Sequence, residues 1–116
     1  MFKLAIIGSR DFTDFNLAEK WFLSFNLDKC SEIISGGAEG ADYIGKVLAK
    51  KYNIKYTEYK ADWKRYGKSA GPRRNVDIVK NSDVIFAFWD GESKGTKNSL
   101  TLARKMGKVT IIVYVK

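Results

Sequence analysis

Glu32-Ile33-Ile34-Ser35-Gly36-Gly37-Ala38-Glu39-Gly40-Ala41-Asp42 reads as a short apolar strand, a glycine turn and the opening of a helix. Ala41, Ile44, Leu48 and Tyr52 then fall on one helical face, so the helix is expected over 39–52. On either side the same alternation repeats. Strands are expected at 2–8, 32–35, 54–59, 83–89 and 109–115, with 54–59 at a sheet edge. Helices are expected at 14–27, 72–81 and 95–106, the last closed by Gly107 as a C-cap. Continuous apolar strands separated by helices indicate a parallel sheet covered on both faces. The expected architecture is a Rossmann-like three-layer α/β sandwich: a five-stranded, mostly parallel sheet with helices on both faces. The chain of 116 residues shows no linker, repeat or low-complexity segment, so 1–116 reads as one domain.

Composition narrows the chemistry. Cys30 stands alone, so no internal disulfide is possible and a reducing compartment is the default. There is no histidine, which removes the commonest general base and metal ligand; no metal site is expected. The apolar run Phe2-Lys3-Leu4-Ala5-Ile6-Ile7 is too short for a signal-peptide core and lacks a small-residue cleavage pattern. No segment reaches the length of a membrane span, and a cytoplasmic protein with no membrane partner is expected. The net charge of +8 suggests an anionic partner, although a solvated lysine-rich surface would give the same balance.

In sheets of this kind, ligands bind outside the carboxyl ends of the strands. Gly8-Ser9-Arg10-Asp11 follows the first strand and Gly36-Gly37-Ala38-Glu39-Gly40-Ala41-Asp42 the second. Ala61-Asp62-Trp63 and a basic loop to Gly71-Pro72-Arg73-Arg74-Asn75 follow the third. Asp90-Gly91-Glu92-Ser93-Lys94-Gly95-Thr96 follows the fourth. Glycines at such turns let a ligand touch backbone, and the helices behind them favour an anion. They also serve as plain tight turns. Pro72 suits the first helical position, which would put Arg73 and Arg74 in a first turn where the dipole disfavours cations. A bound phosphate would reverse that effect; a salt bridge to Asp62 is the competing explanation. Asp42 suits ribose hydroxyls or a base amine. Trp63, Tyr66 and Trp89 flank the same edge as stacking or packing residues.

Taken in order, Gly8-Ser9-Arg10, the stretch from Gly36 to Asp42, Ala61-Asp62-Trp63, Gly67-Lys68-Ser69-Ala70-Gly71-Pro72-Arg73-Arg74-Asn75 and Ser93-Lys94-Gly95-Thr96 resemble the SLOG superfamily. Within it they look most like the small YspA/YpsA-related proteins. The resemblance spans nearly the whole chain. It implies a Rossmann-like fold that binds a nucleotide or nucleotide-derived ligand without a further cofactor. It also implies a homo-oligomer, a dimer or larger. The ligand-binding positions it suggests are Gly8, Ser9, Arg10, Gly36, Gly37, Ala38, Gly40, Asp42, Asp62, Arg73, Arg74, Asn75, Ser93, Gly95 and Thr96. The superfamily includes DprA, the LOG phosphoribohydrolases and sensor domains for signalling nucleotides. LOG enzymes carry Pro-Gly-Gly-x-Gly-Thr-x-x-Glu with a catalytic glutamate. Here Ser99 stands at that position, and a serine without an activating partner is no acid or base. A sensor or sequestering module is therefore the leading reading. An enzyme hydrolysing a nucleotide derivative, using Asp42, Glu39 or Asp62, and a DprA-like nucleic-acid binder are the alternatives.

Overall fold

The computed structural model describes residues 1–25, 27–37 and 40–115. Five strands, β1 (Phe2–Gly8), β2 (Cys30–Ser35), β3 (Lys55–Glu58), β4 (Val84–Trp89) and β5 (Val109–Tyr114), form one sheet in the order β3-β2-β1-β4-β5. Every pairing is parallel. The chain steps outward from β1 to β2 and β3, then returns to place β4 on the other side of β1. The strand order reverses between β1 and β4, the crevice where ligands sit in sheets of this topology.

Side chains alternate across β1 and divide the core in two. Leu4 and Ile6 join Ile33, Phe86 and Phe88 under α1 (Phe15–Phe22) and α2 (Ala41–Lys51). Ala5 and Ile7 join Ile34, Ile85 and Ala87 under α4 (Ala70–Lys80) and α5 (Lys94–Lys105). A short α3 (Trp63–Tyr66) and a 3-10 turn at Gly67–Ser69 lead into α4. The result is the three-layer sandwich expected from the sequence. Among the described residues, no helix is long and apolar enough to cross a membrane.

Several boundaries differ from those expected, each for a local reason. Asp14 caps α1 by accepting the Leu17 N–H at 3.0 Å, but the helix closes at Phe22 rather than running to 27. There the Ser24 and Phe25 N–H groups turn back onto the carbonyls of Trp21 and Phe22, the tight bonding that ends helices. Cys30 pairs with Phe2, so β2 begins two residues before the expected start. Helix α2 ends in a Schellman turn: Ile54 N–H reaches Ala49 O at 2.8 Å and Asn53 takes φ 55°. The same arrangement closes α5, where Lys108 N–H meets Ala103 O at 2.9 Å and Gly107 stands at the turn.

Helix α4 carries the largest consequence. It starts at Ala70, so Pro72 is its third residue and not its first. Proline fits there because the N–H it lacks would have no partner in the first turn. Arg73 and Arg74 are therefore the fourth and fifth residues, beyond the first turn to which the dipole effect is largely confined. The dipole penalty expected for them does not apply.

Candidate functional site

The site is built where β1 and β4 part. Gly8 ends β1 with φ 154° and lies so close to the Phe88 carbonyl that any Cβ would overlap it. Phe12, 5% exposed, stacks on Phe88 with centroids 4.7 Å apart and pins the β1 loop to the sheet. Burial of a ring of this size contributes about 1.5–3 kcal/mol. The Ser9 hydroxyl accepts the Asp90 N–H at 3.0 Å and lies 3.2 Å from the Ser93 hydroxyl. Ser9 is buried and ties the β1 loop to the β4 loop rather than facing the cleft.

The β4–α5 loop is held by one carboxylate. Asp90 accepts the Glu92 N–H at 2.8 Å and the Ser93 N–H at 2.7 Å on one oxygen, and the Ser93 hydroxyl at 2.9 Å on the other. These bonds, led by the Ser93 and Glu92 amides, lower its pKa to about 2. Ser93 is the N-cap of α5, and its side chain makes no capping bond. The opening of that helix, at Lys94, Gly95 and Thr96, lines the cleft. A helix start of this kind favours negative charge.

On the β2 side, Gly36 is clamped from two directions. Its N–H donates to Asp42 Oδ2 at 3.2 Å, and its carbonyl accepts Arg74 Nη1–H at 2.9 Å. A Cβ here would meet the Arg74 guanidinium and come within 2.9 Å of Asp42 Oδ2. A glycine here lets the guanidinium and the carboxylate approach the backbone this closely. Asp42 is 7% exposed and sits in the first turn of α2, behind the Gly40 N-cap. Beneath this turn, the Ser35 hydroxyl bonds Asp42 O at 3.3 Å and Tyr56 Oη at 2.5 Å, and Tyr56 donates to Glu58 at 3.1 Å. Burial chiefly, with the Glu58 carboxylate, raises the Tyr56 pKa to about 12 against the opposing Ser35 bond.

The two arginines of α4 separate. Arg74 turns inward; its Nε–H donates to Asn75 Oδ1 at 3.1 Å while Nη1 holds Gly36. Arg73 turns outward, 4.2 Å from the Tyr66 ring centroid, with its Nε–H on Ser69 at 3.3 Å. Asn75, 7% exposed, donates to Asn98 Oδ1 at 3.1 Å and to Gly95 O at 3.4 Å, joining α4 to α5. Asp62 accepts the Arg65 N–H at 3.2 Å as the cap of α3, so it shapes the loop and does not pair with either arginine of α4.

Two adjoining lobes result. One, of about 460 Å³, lies between β1, α4 and the start of α5; the other, of about 430 Å³, lies over Gly36 and Gly37 toward α3. Arg10 and Arg74 line both and form the waist between them. Gly8, Asp42, Asn75, Ser93, Gly95 and Thr96 join them in the first lobe; Gly36 and Gly37 join them in the second. Ser9, Gly40, Asp62 and Arg73 stand behind or outside the walls, and Ala38 lies outside the described residues, as does Glu39. Asp11, Lys94 and Ser99, quoted from the sequence without a binding role, also line the first lobe; Ile7 and Ile78 there and Lys60 in the second were not singled out by the sequence. Asp11 and Lys60 follow strands β1 and β3, and Ile78 lies one helical turn beyond Arg74. Those positions were the available signal.

Fold and crevice together define a Rossmann-like α/β protein, an architecture consistent with nucleotide-binding proteins in general. The chain is similar to the Gene 61 protein of Mycobacterium phage D29, with 37% identity over 81 residues. That alignment covers 65% of this chain and 65% of the phage protein, so the chain spans somewhat under two thirds of its relative's length. No protein-family profile matches the chain. No solved structure matches it.

Proposed function

We propose that this protein is a SLOG-superfamily, YspA/YpsA-related module that binds a nucleotide or nucleotide-derived small molecule at the carboxyl edge of its sheet, to sense or sequester it. The observation that carries the reading is the waist of the cleft. Arg10 and Arg74 border both lobes, and Arg74 is held at Gly36 and Asn75 before any ligand arrives. An oriented guanidinium offers a phosphate a two-bond contact at little further ordering cost. Gly95 and Thr96 at the start of α5 offer backbone and hydroxyl donors across the same space. Asp42 and Asp11 supply acceptors for sugar hydroxyls. Binding without turnover is favoured because Ser99, 2% exposed and lining the cleft, occupies the place where LOG enzymes carry their glutamate.

The test is to purify the native protein, denature it and identify what is released by mass spectrometry. A stoichiometric nucleotide-type compound, absent from Arg74→Ala prepared in parallel, is the expected result. Recovery of nothing, together with no binding across a nucleotide panel, would remove the reading. Conversion of the released compound on incubation with fresh protein would replace a binding module with an enzyme.

A further inference from the structure

The two lobes differ in charge, and the difference gives the ligand a direction. The smaller lobe is bordered by Arg10, Lys60 and Arg74, and among the described residues no carboxylate is in its lining. The Glu58 carboxylate lies against Gly37 at the margin of this lobe, where a Cβ would come within 2.7 Å of its Oε2, and pairs with Lys60 at 3.6 Å; that lysine is 82% exposed and the pair is weak. The larger lobe mixes Arg10, Arg74 and Lys94 with the carboxylates of Asp11 and Asp42. Phosphate is favoured at the waist, between Arg10 and Arg74, and repelled by the acids of the larger lobe. Hydroxyl groups are favoured beside those acids, which accept hydrogen bonds.

Aromatic rings point the same way. Tyr66 is covered by Arg73, 4.2 Å from its centroid, and by Arg65 at 5.1 Å. Trp89 packs against Tyr114 at 5.9 Å and donates its indole N–H to Ser93 O at 3.1 Å. Trp63 differs from both. It lines the smaller lobe at 54% exposure, its six-membered ring resting near Gly71, where a Cβ would sit 3.2 Å from Cη2. An exposed indole beside two guanidinium groups is a platform for a base whose phosphates those groups hold.

We propose that the ligand is two-headed: a nucleoside diphosphate esterified to a second, hydroxyl-bearing group. The base stacks on Trp63, the diphosphate lies between Arg10 and Arg74, and the second group enters the larger lobe against Asp11 and Asp42. A mononucleotide would fill the Trp63 lobe and leave those two carboxylates facing its phosphate. This proposal rests on the nucleotide reading above.

The experiment compares ADP, GDP and UDP with ADP-ribose, GDP-mannose and UDP-glucose by calorimetry and tryptophan fluorescence, on the wild type, Trp63→Phe, Trp63→Ala and Asp11→Asn. At least one ester is expected to bind about tenfold or more tighter than its parent diphosphate and to quench indole emission. Trp63→Ala weakens it by about tenfold, as loss of a stacked base does. Trp63→Phe keeps the affinity and loses the quench. Asp11→Asn weakens the ester and spares the diphosphate. Circular dichroism checks that each variant folds. Equal affinity for esters and diphosphates overturns the two-headed ligand and leaves nucleotide binding standing. Binding that ignores Trp63 overturns the base subsite. No binding by any of the six compounds overturns this proposal, and the nucleotide reading falls with it only if the purified protein also releases no nucleotide.

Discussion

The Arg74 guanidinium donates to the carbonyl of Gly36 across 2.9 Å and so joins α4 to the turn after β2. The bond joins a residue without a Cβ on one side to a long, multivalent donor on the other. Gly36→Ala would push the guanidinium away and crowd Asp42 Oδ2, 2.9 Å from the new carbon. The tip of an arginine yields easily, so the variant is expected to fold with a loss of about 1–2 kcal/mol. Nucleotide affinity falls by about tenfold, because the cation is no longer held at the waist. Thermal unfolding beside calorimetry separates the two effects; unchanged affinity would mean that Arg74 acts from another position.

The two arginines of α4 should behave differently. Arg74→Ala removes a charge-assisted contact and is expected to weaken binding by about ten- to hundredfold. Arg74→Lys recovers little, since one ammonium cannot reproduce the fixed fork that meets Gly36, Asn75 and a ligand together. Arg73→Ala costs about 0.5–1 kcal/mol of stability through its lost contact with Tyr66. Its affinity stays close to that of Lys50→Ala, an exposed control on α2. Titrations of the four variants under one salt condition decide this; equal losses for Arg73 and Arg74 would contradict it.

That asymmetry also shows where the sequence could be read and where it could not. Strand positions were legible because Phe2–Gly8 and Val84–Trp89 are unbroken apolar runs between turn residues. The edge at which the glycines gather followed from strand direction alone. The inward arginine was not legible. Each residue turns about 100° around a helix, so Arg73 and Arg74 diverge, and which of them meets the cleft depends on how α4 packs on the sheet through Asn75, Ile78 and Val79. Nothing local marks Ala70, because the preceding turns at Trp63–Tyr66 and Gly67–Ser69 are themselves helical. The bond between Ser9 and Asp90 joins residues 81 apart and appears only once β1 and β4 are neighbours. The loop-tying contact of Ser9 was therefore not legible from its own segment.

Asp90 should govern the acid limb of loop order. Its folded pKa, about 2, lies below the ordinary 3.8, so its bonds to Glu92 and Ser93 stabilise the loop fully above the ordinary value. That contribution declines as pH falls and is gone below about 2. The Glu92 and Ser93 amide resonances are expected to titrate together with a midpoint of about 2. Asp90→Ala should release the start of α5 at neutral pH and weaken nucleotide binding several-fold. Amide shifts that titrate near 3.8 would show that the carboxylate is not held as described.

Tyr56 sets the corresponding alkaline behaviour. Its folded pKa of about 12 lies above the ordinary 10, so folding favours the neutral phenol. Stability from this group is complete below 10 and is lost as pH rises toward 12, because the unfolded chain ionises first. Tyr56→Phe removes the bonds to Ser35 and Glu58 and should cost about 0.5–1.5 kcal/mol at neutral pH. The same change deletes one alkaline titration, so the gap between variant and wild type should narrow between pH 10 and 12. Denaturant melts of the pair across that range test the sign. A gap that widens would mean that Tyr56 ionises more easily in the folded protein, and that burial beside Glu58 does not protect its proton.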